Sequence, residues 1–292
     1  MKSAIMYNYD INNITMYSHN HLLYVKNKDN RYIVKQVVSE DAINEIYYIL
    51  CKYNKIREYY KIVMTKQKRK TFEYNRRTYA LIEINKNRSN VENKILENTK
   101  IIKSKYILDR SDWYYLWTKK LDYIITQSNM IRKKYKIIDE IIDYYIGMTE
   151  TAISYLKNNT SNNESSKRLS ICHKKIDAKS IYDPLNIVID GKERDISEYL
   201  KYLFINNIHS TEKIKNIIQK LELNSEEINR LYARMIYPSY FFDIYDKIIN
   251  QEESENYAIK MIKRIDEYEC YLQYIYNEIN KKVVELKKIE WL

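Results

Sequence analysis

Residues 172–195 gather most of the side chains in this chain whose types and spacing could do chemistry. A short apolar segment ends in His173, a polar loop carries Lys175, Asp177 and Ser180, and a second apolar segment, Asn186 to Ile189, ends in Asp190; Arg194 and Asp195 then open a helix. Asp190 is the carboxylate at the end of the second segment, and because Asp-Gly is a strong turn signal its local reading is a turn residue before Gly191. An ammonium neither accepts a proton at neutral pH nor ligates a cation, so Lys175 can take neither task of a carboxylate. Ser180 offers one weak oxygen, and Asp177 is the carboxylate that could act as a displaced base. His173 either orders the loop or simply packs at the strand end. Locally, Asp195 with Glu198 three residues on reads as a helix cap.

Composition narrows what these residues can belong to. With 45% hydrophobic and 30% charged residues over 292 positions, the chain is globular and long enough for one large or two small domains. Only 2 Gly and 2 Pro are present, which excludes a Walker P-loop, a dinucleotide fingerprint and a glycine-rich kinase loop. Three widely spaced cysteines, Cys51, Cys172 and Cys270, fit a reduced compartment rather than a disulfide or zinc framework. The net charge of +11 favours polyanionic partners without fixing a function. The densest basic run, Lys66, Lys68, Arg69 and Lys70 followed by Arg76 and Arg77, sits in an expected hairpin and reads as a solvated tip ahead of a phosphate patch. The 32 tyrosines, with abundant Ile, Asn and Lys, are what an AT-rich genome yields; a crosslinked extracellular shell is the sharper alternative. No signal peptide and no apolar stretch of membrane-spanning length is expected.

The elements that must position these residues follow from periodicity. Leu22–Lys26 and Tyr32–Val37 alternate about Asn27-Lys28-Asp29-Asn30, which predicts a β-hairpin. Ser39 with Glu40 and Asp41 starts a helix, and strands follow near 61–65 and 78–84. Ser89 and Glu92 form a capping box for the next helix. From about residue 90 the pattern is helical: Asp112 to Met130, then Ile137 to Leu156 interrupted by Gly147. A polar loop spans 158–166. Beyond the hairpin come helices near 195–207, 211–222 and 225–248, the last kinked or split at Pro238, and a long helix from about 255 to 288.

The order of the hairpin is similar to the active-site hairpin of aminoglycoside-phosphotransferase-like kinases. In those enzymes an Asp two residues after the His takes the substrate proton and an Asn five further on holds Mg²⁺; here these positions are Lys175 and Ser180. Tyr32-Ile33-Val34-Lys35 resembles the third-strand motif whose lysine pairs nucleotide phosphates and a helix glutamate. The resemblance therefore implies Lys35 and Glu45 as nucleotide-binding residues, with Glu45 better placed than Glu40, His173 as loop-ordering, and Asp190 on the metal. It implies an α+β, bilobal protein-kinase-like fold: an N-lobe over 1–88 of antiparallel sheet plus one helix, and a helical C-lobe over 89–292 with a degenerate catalytic hairpin near 168–195. Phosphoryl transfer rests on positioning and charge stabilisation, so without the base and the Asn no catalytic residue is assigned.

Arg194-Asp195-Ile196-Ser197-Glu198-Tyr199-Leu200 and the stretch from Arg230 to Asp243, which includes Leu231-Tyr232-Ala233-Arg234 and Tyr237-Pro238, resemble motifs of the YutH/CotS-type spore coat proteins of endospore-forming Firmicutes. That resemblance implies a pseudokinase acting in coat assembly or as a scaffold, with other spore coat proteins as partners. It implies residence in the mother-cell cytoplasm and then the spore coat, with no required cofactor and only residual ATP and Mg²⁺ binding. Two alternatives stand beside it. One is an active Mg-ATP-dependent phosphotransferase on a small molecule or a protein, using Lys35 and Asp190 with an unconventional base. The other is a basic nucleic-acid-binding or interaction module, against which no recognition motif or aromatic-basic stripe is found; neither nucleic acid nor membrane is expected as a partner.

Overall fold

The structure, a computed structural model, describes residues 1–19, 22–84, 91–96, 104–132, 134–160, 168–282 and 286–291. It divides into two compact units, Met1–Asp109 with Ser170–Ile189, and Arg110–Leu169 with Asp190–Leu292.

The first unit is built on antiparallel sheet. Its elements are α1 (Lys2–Asn8), β1 (Thr15–His19), β2 (Leu22–Lys26), β3 (Arg31–Val37), α2 (Glu40–Lys52), β4 (Lys61–Ile62), β5 (Phe72–Tyr74), β6 (Arg77–Ile84) and α3 (Val91–Leu96). The sheet order is β1-β2-β3-β6-β4, with β5 also on β6. The expected β2–β3 hairpin forms because the Asn27 side chain accepts from the backbone N–H of Asp29 (3.1 Å) and Asn30 (2.7 Å). Asn75 and Arg76 both take positive φ, 49° and 58°, the backbone of a two-residue hairpin turn between β5 and β6. Alternation along the strands divides the core. Val34 and Leu81 face the cluster of Ile5, Tyr9 and Phe72, whereas Ala80 and Ile62 pack with Ile43 of α2. The helix starts where Ser39 predicts, its hydroxyl accepting from Ala42 N–H at 3.2 Å.

Most of the basic run ties elements of this unit together. Lys66 donates to the Met6 carbonyl, Arg69 to Glu40 and Lys70 to Asn44. The hairpin strands β7 (Leu169–His173) and β8 (Ile187–Gly191) pair in a two-stranded sheet. Contrary to the expected division at residue 88, this unit runs on to Asp109 and takes in Ser170–Ile189. The reason is long-range bonding: Tyr60 N–H donates to the Tyr182 carbonyl (2.7 Å) and Ile189 N–H to the Leu108 carbonyl (3.0 Å). The Ser89 cap lies outside the described residues.

The second unit is helical. It holds α4 (Trp113–Ile131), α5 (Lys136–Asn159), α6 (Glu193–Ile205), α7 (Thr211–Gln219), α8 (Ser225–Ile236), α9 (Ser239–Ile249), α10 (Ile259–Ile262) and α11 (Ile265–Lys282). Asp112 caps α4 by accepting from Tyr115 N–H at 3.1 Å, and Asn224 with Glu227 closes a capping box on α8. Pro238 splits the expected third helix into α8 and α9, as its missing N–H requires.

Three expectations differ. Gly147 does not interrupt α5; it sits in the middle of a 24-residue helix whose buried face, including Ile138, Ile142, Tyr145, Met148 and Ala152, outweighs one glycine. The polar run continues α5 through Asn159, and from residue 161 it lies outside the described residues. The last helix is broken at Lys263–Arg264, where the Arg264 guanidinium turns away to donate to the Phe204 (2.9 Å) and Ile205 (3.0 Å) carbonyls at the end of α6.

Candidate functional site

In the first unit, β3 delivers Lys35, and the carboxylate that meets its ammonium is Asp183. Asp183 sits at the start of a short 3₁₀ turn, Pro184–Asn186, where its other oxygen accepts from Leu185 N–H at 2.9 Å. The Asp183 side chain is 4% exposed and that of Lys35 25%, so solvent screens the pair only in part. Glu45, the expected partner, is engaged elsewhere: it accepts from the Ser104 hydroxyl and from Lys105 N–H (2.9 Å). Glu40 is held by Arg69, whose hydrogen bond keeps its carboxyl below the usual range. Neither glutamate of α2 therefore takes the place that the third-strand motif implies.

His173, at the end of β7, is buried and lies 3.1 Å from the Tyr59 hydroxyl through Nε2, with the two rings stacked. The Lys94 ammonium stands over the opposite partner in this stack, 3.6 Å from the centroid of the Tyr59 ring. The loop after His173 is closed by its own backbone. The Asn186 amide donates to the Lys175 (2.8 Å) and Ser180 (2.9 Å) carbonyls and accepts from Lys175 N–H (3.1 Å). Ser180 donates its hydroxyl to the Lys175 carbonyl at 3.1 Å, so its proton is directed at the chain. Asp177 accepts from the N–H groups of Lys179 and Ser180, both at 2.8 Å, which is a local turn bond. Lys175 itself is exposed.

Asp190 belongs to the second unit and is fully buried, at 0%. One carboxylate oxygen accepts from Trp113 Nε1 and from the Arg194 guanidinium, each at 2.9 Å, and the other from Gly191 N–H at 2.7 Å. A guanidinium thus supplies the positive charge that a metal would bring, and among the described residues no group of three or more His, Cys, Asp or Glu is placed to hold a cation. The donor set as arranged does not fit a Mg²⁺ ion, which needs oxygen ligands open to it and several retained waters.

Around Asp190 the two motif stretches interlock. Glu193 pairs with Arg230, and burial pushes its carboxyl up despite that guanidinium. Glu198 is bonded by Arg234 (2.9 Å) and Lys201 (3.3 Å). Burial raises the Glu198 carboxyl, but Lys201, Arg234 and Arg194 together reverse this and hold it at about 2. Lys201 is lowered to about 8, chiefly because burial penalises its charge. The guanidinium groups of Arg230 and Arg234 lie 4.4 and 4.7 Å from the Trp113 ring centroid, and Trp117 stacks between Trp113 and Tyr237. Gly191 is required here: a Cβ would overlap the Glu193 carboxylate, which Arg230 pins in place. Asp195, expected as the cap, lies inside α6, which begins two residues earlier, and Glu198 is taken by the ion network rather than by the backbone.

Sequence reasoning missed Asp183, Tyr59, Asn186 and Trp113 as the partners of the expected residues. An Asp-Pro dipeptide opening a turn was the available signal for Asp183; the pairing of Tyr59 and Trp113 leaves no local mark.

Residues 2–276 match the family model described as "Spore coat putative kinase YutH". The endospore coat-associated protein YutH of Bacillus subtilis strain 168 is 22% identical, with 98% of this chain and 96% of that protein covered. Among solved structures, an aminoglycoside phosphotransferase from Alicyclobacillus acidocaldarius superposes with a TM-score of 0.61 at 10% identity, over 96% of each chain. The AMP-bound complex of a spectinomycin phosphotransferase gives 0.65 at 12% identity, over 94% of this chain and 96% of that one. These structures establish the kinase-like α+β fold expected from the hairpin.

Proposed function

The chain belongs to the spore coat kinase-like family whose model it matches over residues 2–276, and from that premise we propose that it is a coat-associated scaffold in which the phosphotransfer machinery has become internal structure. The carrying observation is that each residue expected to handle nucleotide or metal is bound within the chain, Lys35 by Asp183 and Asp190 by Trp113 and Arg194. The base position is an exposed lysine, which has no lone pair for a proton at neutral pH. Replacing both engaged residues' partners with phosphate and Mg²⁺ would uncover a buried carboxylate and a buried guanidinium, an unfavourable exchange. On this reading the partners are other coat proteins, and the protein acts in the mother-cell cytoplasm and then on the coat. No described helix is long and apolar enough to cross a membrane.

Thermal unfolding with and without millimolar Mg-ATP tests the reading. A ligand at about 100 times its Kd stabilises the native state by roughly 2.7 kcal/mol, which moves Tm by several degrees. The expected result is no shift and no transfer of the γ-phosphate. A shift abolished by Lys35→Ala, accompanied by Mg²⁺-dependent turnover, would replace the scaffold with an active phosphotransferase.

A further inference from the structure

In the first unit the connection from β4 to β5 folds against α1 and leaves an open groove of about 580 Å³ between them, within the span of about 300–1,000 Å³ usual for small-molecule sites. Its walls are tied to one another. Lys66 N–H donates to the Asn8 carbonyl at 2.8 Å, Thr65 N–H to the Arg69 carbonyl at 2.8 Å, and Arg69 N–H to the Thr65 hydroxyl at 3.0 Å. Thr71 lines this groove, is 2% exposed, and its buried hydroxyl has no hydrogen-bond partner in the chain. Buried hydroxyls are ordinarily satisfied, so this one marks a place for a bonding group that the chain does not supply. Ser3, Gln67 and Tyr7 line the same groove; all three are exposed, Tyr7 by 75%, and none makes a side-chain hydrogen bond or ring contact among the described residues.

The charged groups of the lining select against ions. Arg69 is already held by Glu40 through Nε (2.8 Å) and Nη2 (2.7 Å), so its guanidinium is not open to an anion. Glu73, which stands in the field of Arg69, sets a carboxylate against any anion that enters. For a cation, one exposed carboxylate offers little hold. What remains is a set of neutral groups, two hydroxyls, an amide and a phenol, that both donate and accept, beside the free face of an aromatic ring. Sugar hydroxyls likewise donate and accept together, and the C–H face of a pyranose ring lies against the apolar face of a tyrosine. We propose that this groove binds a neutral saccharide, with Tyr7 as its stacking platform and Thr71 as a hydroxyl partner. It uses none of Lys35, His173 or Asp190, so the proposal is independent of whether the chain transfers phosphate.

Saturation-transfer difference NMR on the full chain tests this with maltose, cellobiose and N,N′-diacetylchitobiose as neutral probes, glucose 6-phosphate as the anionic one and glucosamine as the cationic one. At least one neutral disaccharide should bind, with Kd of about 1–10 mM. Tyr7→Ala, at a position whose ring touches no other ring of the described residues, should weaken that binding about tenfold. Thr71→Val keeps the side-chain shape and should weaken it about fivefold, the loss of one neutral hydrogen bond. Because the native fold does not use that hydroxyl, the urea midpoint of Thr71→Val should equal or exceed that of the wild type. A lower midpoint would show the hydroxyl to be bonded inside the fold and would overturn its assignment as a ligand partner. No binding by any neutral disaccharide, or binding undiminished in both variants, would overturn the proposal. Tighter binding of glucose 6-phosphate or glucosamine than of every neutral probe would overturn it in favour of an ionic site.

Discussion

Raising the pH should unfold this protein abruptly just above the normal phenol pKa. Tyr9, Tyr145, Tyr155, Tyr232, Tyr237, Tyr245, Tyr268 and Tyr271 are all buried, and in each burial is the main cause that pushes the phenol up, in Tyr145 to about 12. A group whose native pKa is raised contributes stability that is complete below its unfolded pKa and is lost as the pH climbs through the native one. Each unfolded phenol therefore gains about 1.4 kcal/mol over its native counterpart for every pH unit above 10. Eight of them at pH 11 amount to about 11 kcal/mol, as much as the whole stability of a typical domain. Lys201 works in the opposite sense: lowered to about 8, it sheds its proton in the native state first, so stability rises between pH 8 and 10.5, by about 3 kcal/mol at most. That gain is exhausted where the phenol loss sets in. Absorbance at 295 nm and far-ultraviolet circular dichroism, followed together from pH 9 to 12, should show tyrosinate appearing cooperatively with loss of helix between about pH 10 and 11.5. If the tyrosinate signal titrated smoothly to completion near pH 10 with helix content unchanged, the burial of these phenols in the native state would be refuted.

Two further outcomes follow from the helical unit. Glu198→Gln leaves Lys201 and Arg234 buried without their carboxylate and should cost about 3 kcal/mol in urea denaturation at pH 7. Because the Glu198 carboxyl is held at about 2 against a usual 4.5, its contribution is complete above 4.5 and lost as the pH falls toward 2; the variant should lose less stability across that acid window. Gly147 has nothing within 4 Å of where a Cβ would stand, so Gly147→Ala should raise stability by about 0.5–1 kcal/mol, read as a higher urea midpoint with an unchanged m-value.

What the sequence made legible was whatever a local signal encodes. The turn chemistry of Asn27 to Asn30, the Ser39 cap and the Pro238 split all appear where side-chain type dictates them. Short elements were lost: α1 has seven residues and β1 five, too few for a period to stand out, and both are held by packing of Ile5 and by pairing with β2. Sequence reasoning singled out Lys35 and His173 in the first unit and Asp190 in the second, but not the residues that bond them. Lys35 and Asp183 are 148 positions apart, His173 and Tyr59 114, Asp190 and Trp113 77. Spacing along a chain carries no record of such meetings, and a motif suggests a helix glutamate for Lys35 where the fold supplies an aspartate from a turn. The family motifs, by contrast, prove to be mostly structural, since Arg194, Glu198, Arg230 and Arg234 are all members of one buried network.

The break at Pro238 has a consequence for motion. Where α8 ends, the Tyr237 carbonyl accepts from Ser239 N–H at 2.9 Å and from the buried Lys201 ammonium at 2.8 Å, which also donates to the Ser239 hydroxyl at 3.0 Å. One cation thus grips both sides of the interruption from a third helix. A joint between two helices is usually a hinge; this one is a latch, because one ammonium has three N–H groups to share between the carbonyl, the hydroxyl and the Glu198 carboxylate at 3.3 Å.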